Sequence, residues 1–230
     1  MLSIGDRMKE YYENKSRYYL TRRIPVIMRL DGRAFTKLTK HLDKPFSETF
    51  NDVMCETARY LLSEIQGAKC VYTQSDEISI LITDFERLTT DCWFGYNIQK
   101  MTSISAAMAS VYFNTYCHLH NNTMYAGIFD SRVFNIPKED TCNYFIWRQQ
   151  DWTKNSVQML ARSYFSHSEL QGKNQGEMHN MLYYKNVNWN NLDPKWKNGA
   201  FFTKSDGEII KMEDFIFSKK RELIDNHLYI

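Results

Sequence analysis

Apolar and polar positions alternate in two rhythms along the chain, and the switches between them outline its elements. Residues 3–20 place Ile4, Met8, Tyr11, Tyr12 and Tyr19 at helical intervals and predict an opening amphipathic helix. Pro25-Val26-Ile27-Met28-Arg29-Leu30 is an apolar run that stops at Asp31-Gly32, which predicts a strand and then a turn. A polar loop carrying Lys37, Lys40, His41 and Lys44 leads to Pro45. From Ser47 to Gln66 the helical spacing returns, with Phe50, Val53, Met54, Ala58, Leu61, Leu62 and Ile65 on one face and Gly67 as terminator. Residues 69–83 read as a hairpin with Ser75-Asp76-Glu77 at its tip, and 93–119 as a second long helix. Residues 126–137 read as a strand and 138–165 as a third helix. Farther on, Ser168 and Gln171 match a capping box, 185–199 read as a loop, and 200–204 with 208–212 form a small hairpin about Asp206-Gly207.

Through residue 137 the order is β-α-β-β-α-β, which is the ferredoxin-like arrangement of an antiparallel sheet backed by helices. Polymerase palm domains share this α+β plan. The expected division is a palm-like core over 1–137 and, over 138–230, a helical extension with a small hairpin packed on it, in a single domain overall. Fold by itself assigns no activity.

Composition narrows the picture. With 43% hydrophobic and 24% charged residues in 230, the chain has the make-up of a folded protein rather than a disordered one. A net charge of +2 argues against a dedicated duplex binder while allowing a local basic groove. Five cysteines, odd in number and without a C-x-x-C pair, imply neither a disulfide framework nor a zinc site, and point to a reducing, cytoplasmic setting. No apolar run approaches membrane-spanning length, so no membrane association is expected.

The candidate chemistry lies in acids at strand ends. If the strand ending at Asp31 neighbours the hairpin carrying Asp76, the two carboxylates face each other as hard oxygen ligands for magnesium. Two such ions, about 3.5–4 Å apart, activate an attacking hydroxyl and steady a leaving pyrophosphate. Taken singly, Asp-Gly is an ordinary turn and Ser-Asp-Glu an ordinary hairpin tip. Arg29, a charge in an apolar strand, calls for an anionic ligand or a carboxylate. Arg22-Arg23 fit either a phosphate grip or a solvated pair, and Lys100 fits either a triphosphate contact or a solvated lysine. Arg148, Asp151, Asn155 and Arg162 share one helix face that reads as a phosphate platform or as an ion-paired wet surface.

Five ordered blocks add a resemblance. Arg29-Leu30-Asp31-Gly32-Arg33-Ala34-Phe35, His41-Leu42-Asp43-Lys44-Pro45, Gln74-Ser75-Asp76-Glu77-Ile78-Ser79, Phe129-Asp130-Ser131-Arg132-Val133 and Trp147-Arg148-Gln149-Gln150-Asp151 resemble the signature of the tRNA-histidine guanylyltransferase superfamily. These enzymes add nucleotides to a 5′ end in the 3′-to-5′ direction. The resemblance implies Asp31, Asp76 and the Gly32 carbonyl as ligands of two Mg2+ ions, with Glu77 supporting them. It implies Arg29, Arg33, Ala34, Phe35, Lys44, Ser75 and Lys100 around ATP, GTP or another nucleoside triphosphate. It implies Arg132, Arg148, Asp151 and Asn155 at the tRNA 5′ end, and a homotetramer.

Eukaryotic guanylyltransferases carry His-Ile-Asn-Asn on the third helix, where this chain has Asp151-Trp152-Thr153-Lys154-Asn155. That wording is similar to the bacterial, archaeal and phage branch, associated with template-dependent repair of 5′-truncated tRNA. The alternatives are untemplated addition of a single G to histidine tRNA, a palm-type nucleotide cyclase, and an RNA-binding module whose acids are structural.

Overall fold

The computed structural model describes residues 2–229 apart from 122–124, 206 and 214. The elements, in order, are helix α1 (Ile4–Tyr11), strand β1 (Val26–Gly32), helix α2 (Phe35–Leu38), helix α3 (Glu48–Glu64), strand β2 (Ala68–Gln74) and strand β3 (Glu77–Ile82). Then come helix α4 (Ile98–Asn121), strand β4 (Phe129–Asn135), helices α5 (Lys138–Arg162), α6 (His167–Leu170), α7 (Gln175–Tyr184) and α8 (Pro194–Asn198), strands β5 (Ala200–Ser205) and β6 (Glu208–Met212), and helix α9 (Glu222–Asp225). Among the described residues six strands form one sheet in the order β4-β1-β3-β2-β5-β6, every pair antiparallel. Its first four strands have the ferredoxin-like order, and the C-terminal hairpin extends the sheet along β2.

Strand alternation sorts the two faces. Val26, Met28 and Leu30 of β1 pack with Ile78, Ile80 and Ile82 of β3 under α3 and α4, where Met54, Leu61, Met101 and Phe113 complete a fully buried layer. Ile27, Leu81, Cys70 and Tyr72 point the other way, onto Tyr144 and Phe145 of α5 and onto Phe215 and Phe217. Each such buried side chain contributes about 1.5–3 kcal/mol, so the layer beneath α3 and α4 holds the rim of β1 and β3 rigid.

Several expectations need correction. The opening helix ends at Tyr11 and is followed by a 3-10 turn, Glu13–Ser16, while Tyr19 lies in extended chain bridged to Asn97. None of its helical residues is buried, and just beyond it the Ser16 hydroxyl donates to the Glu13 carbonyl, a local bond that competes with continued helix. Part of the polar loop is helical: α2 and a 3-10 turn, Thr39–His41. The second long helix begins at Ile98 rather than 93, because Phe94 and Gly95 adopt left-handed angles (φ 51° and 60°) in a preceding 3-10 turn. The third helix stops at Arg162. The capping box is Ser166 with Glu169, two residues earlier than Ser168 with Gln171. Residues 185–199 contain α8, opened by Pro194 and capped by Asp193. The small hairpin is present, although Asp206 of its turn lies outside the described residues.

Candidate active site

The register of the central strands builds a charged rim. Asp31 pairs with Glu77 of β3 on one side and with Asp130 of β4 on the other. Two residues back along β1, Arg29 pairs with Ser79 and Arg132 in the same way. The period of two puts Asp130, Asp31 and Glu77 in one cross-strand row, with Arg132 and Arg29 in the next. This is the face that α5 covers: Ser79 Oγ is 2.8 Å from the Tyr144 hydroxyl, and Arg29 lies 5.9 Å from the centre of the Trp147 ring.

Asp76 joins the row from the turn between β2 and β3. Gln74 pairs directly with Glu77, leaving Ser75-Asp76 as a two-residue turn with Ser75 at φ 49°, which is costly for a residue bearing a Cβ. The Gly32 N–H donates to the Asp76 carbonyl at 3.0 Å, tying the end of β1 to this turn. Gly32 has no room for a side chain: a Cβ there would come within 2.6 Å of the Phe35 ring. The Asp-Gly pair therefore ends the strand while letting the next apolar side chain fold back beneath it.

Charge compensation separates the acids. Glu77, which is 4% exposed, accepts two hydrogen bonds at 2.7 Å from Nε and Nη2 of Arg148, and pairs with Arg29 Nη2 at 2.7 Å. Asp130 pairs with Arg132 at 2.8 Å, and Asp151 with Arg148 at 3.1 Å. Among the described residues Asp31 and Asp76 have no ion pair. Burial, together with the neighbouring Asp31 charge, pushes the Asp76 carboxyl above the usual range, against hydrogen bonds from its own backbone and Ser75. Two uncompensated hard carboxylates at one rim fit a divalent cation that completes its shell with waters and phosphate oxygens. No group of three His, Cys, Asp or Glu side chains gathers as a metal cage among the described residues. The two arginines hold Glu77.

Beside the rim lies a cavity of about 440 Å3 whose walls include Phe35, Lys44, Ser75, Asp76, Trp152 and Arg162. Phe46 and Trp196, also in its wall, stack at 4.9 Å with planes 8° apart. Neither Phe46 nor Trp196 is singled out by a sequence motif; Trp196 reaches the cavity because residues 194–198, within a stretch that reads as a loop, form α8.

The other expected site residues are scattered. Lys100, exposed at the start of α4, lies 6.0 Å from the Phe94 ring centre, and neither it nor Arg33, Ala34 or Asn155 lines the cavity. Arg29 has found the carboxylate that its buried strand position required, although its Nε–H has no acceptor. Arg22 and Arg23 are both exposed; the Arg22 guanidinium donates to Asp84 and the Thr90 carbonyl, and Arg23 donates its backbone N–H to Asp84 and its guanidinium to the Leu88 carbonyl.

A comparison with known families places this rim. The profile of the family described as Thg1, tRNAHis guanylyltransferase, matches residues 5–137, more than half of the chain and including Asp31, Asp76, Glu77 and Asp130. The chain belongs to this family. It is, with its family, a nucleotidyltransferase of tRNA 5′-end processing. Among solved structures it is similar to a bacterial tRNA(His) guanylyltransferase (Thg1)-like protein in complex with ATP, with 44% identity, a TM-score of 0.94, and coverage of 99% of this chain and 100% of that one. The corresponding complex with GTP gives 40% identity, a TM-score of 0.86 and the same coverage. Among curated relatives, the tRNA(His) guanylyltransferase of Schizosaccharomyces pombe is 24% identical over 194 residues, covering 78% of this chain and 73% of the relative. No helix among the described residues is long and apolar enough to cross a membrane.

Proposed function

We propose that this protein extends tRNA at its 5′ end in the 3′-to-5′ direction, choosing each nucleotide by its pairing with the opposing strand. The observation that carries the reading is the pair Asp31 and Asp76, uncompensated at the rim while Glu77, Asp130 and Asp151 each pair with an arginine. Asp31, Asp76 and the Gly32 carbonyl would hold two Mg2+ ions, which lower the cost of deprotonating a hydroxyl and offset charge on leaving pyrophosphate.

The chain's own residues do the rest. Lys44 and Ser75, which line the cavity together with Phe35 and Trp196, grip the phosphates of ATP or GTP while the aromatic walls receive the base. The RNA 5′-monophosphate first attacks the α-phosphate of ATP or GTP and releases pyrophosphate; the 3′-hydroxyl of the incoming triphosphate then attacks the activated 5′-phosphate in line and releases AMP or GMP, with positioning supplying much of the acceleration. That similar chains bind ATP and GTP supports nucleotide binding in this cavity. The side chains of the third helix, Asp151-Trp152-Thr153-Lys154-Asn155 in place of His-Ile-Asn-Asn, support templated repair over untemplated addition of one G. Buried free thiols accord with a reducing cytoplasm, and the resemblance with a homotetramer.

The test supplies tRNAs lacking one to several 5′ nucleotides, with the opposing base varied. Incorporation that follows the opposing base supports the proposal. G added whatever the opposing base identifies a histidine-tRNA enzyme instead, and a cyclic nucleotide formed without RNA identifies a cyclase.

A further inference from the structure

Helix α5 lies beyond the family match, yet it reaches into the acid row through one side chain. Arg148 is 5% exposed, its fork is spent on Glu77, and its guanidinium carbon sits 4.5 Å from the centre of the Trp147 ring. Arg29 grips the same carboxylate from β1 beneath the same indole. Glu77 adjoins Asp31 across the sheet and Asp76 along the chain. Unclamped, it would be a third carboxylate competing for whatever cation the two aspartates hold.

We infer that Arg148 is a positioning residue that acts on the rim through Glu77: the clamp fastens α5 to the sheet and keeps Glu77 turned from the cation site. The inference rests on the proposed cation role of Asp31 and Asp76. It differs from the expectation that Arg148 meets the RNA, since a buried, bidentate guanidinium has little edge left to offer a strand.

The test uses the full chain with three readouts: Mn2+ titration calorimetry without nucleotide or RNA, thermal unfolding in EDTA, and KM for a 5′-truncated tRNA. In R148A the carboxylate, left with Arg29 as its one partner, draws cation, so Mn2+ binds about threefold or more tighter, while the KM for tRNA stays within about twofold. Adding E77Q to R148A returns Mn2+ affinity to within about twofold of wild type and recovers part of the lost unfolding temperature, the non-additivity of groups in one network. R148K, which keeps the charge without the fork, gives a folded variant of intermediate behaviour. Loss of Mn2+ binding in E77Q alone would make Glu77 a ligand and overturn the inference. A rise of about tenfold in the KM of R148A or R148K for tRNA, with Mn2+ binding unmoved, would place Arg148 on the RNA and do the same. If the wild-type chain binds no Mn2+, or Asp76→Asn binds it as tightly, the cation reading fails by itself. The unfolding cycle in EDTA then still judges the clamp, and additive losses there would sink it.

Discussion

At the scale of single residues, the rim depends on side chains whose neighbours leave no latitude. Gly32→Ala forces a methyl group into the Phe35 ring, which packs 5.0 Å from Phe129 and 5.2 Å from Phe113. We expect a loss of about 1–3 kcal/mol in urea unfolding, with nucleotide affinity reduced because Phe35 also walls the cavity. Arg29 shows what a sequence reveals at this scale: a charge amid Val26, Ile27, Met28 and Leu30 demands an anion, and Glu77 supplies it. Arg148 shows the limit. Its spacing with Asp151 and Asn155 marks a polar face without saying what that face meets, and its partner Glu77 lies 71 positions away in the chain. Polar periodicity reads the same whether the counter-charge is solvent or a buried carboxylate across a sheet.

At the scale of elements, caps and turns set the boundaries. Ser47 accepts the Phe50 N–H at the start of α3, the helix whose Leu61 and Leu62 underlie the sheet. Ser47→Ala should cost about 1 kcal/mol, read as a lower midpoint in thermal circular dichroism with the folded spectrum unchanged. Gly199, at φ 78° between α8 and β5, would bring a Cβ within 2.7 Å of the Thr73 carbonyl oxygen. Gly199→Ala should therefore loosen the pairing of β5 with β2, and amide hydrogen exchange in β5 should quicken before that in β1. Strands and long helices were legible because their apolar periods are long and regular. The pattern predicts a helix from 93, five residues before α4 begins, because Trp93 and Tyr96 are apolar and buried in a turn that continues the pattern without the helix.

At the scale of the whole molecule, one sheet has two differently covered faces, and all five cysteines are buried between its layers or beside them. Burial raises the Cys55 thiol to about 12 and those of Cys117 and Cys142 to about 11. A thiol in unfolded chain titrates near about 8.5, so stability from these protonated groups is complete below that pH and is lost as pH rises toward the folded values. The unfolding temperature should fall progressively above about pH 9, and a thiol reagent at neutral pH should modify the native chain far more slowly than the denatured one. The palm order could be read from the sequence because β-α-β-β-α-β has a recognisable rhythm. The cavity could not, because its far wall comes from α5 and α8, whose contacts with the segment around Phe46 are set only by tertiary packing.

The most direct measurement is single-turnover addition of labelled nucleotide to a 5′-truncated tRNA by the wild-type chain and by Asp76→Asn, at saturating Mg2+. The account predicts a fall of about a thousandfold or more in the rate of addition, with the variant folded and the tRNA still bound. Addition at the wild-type rate would contradict it.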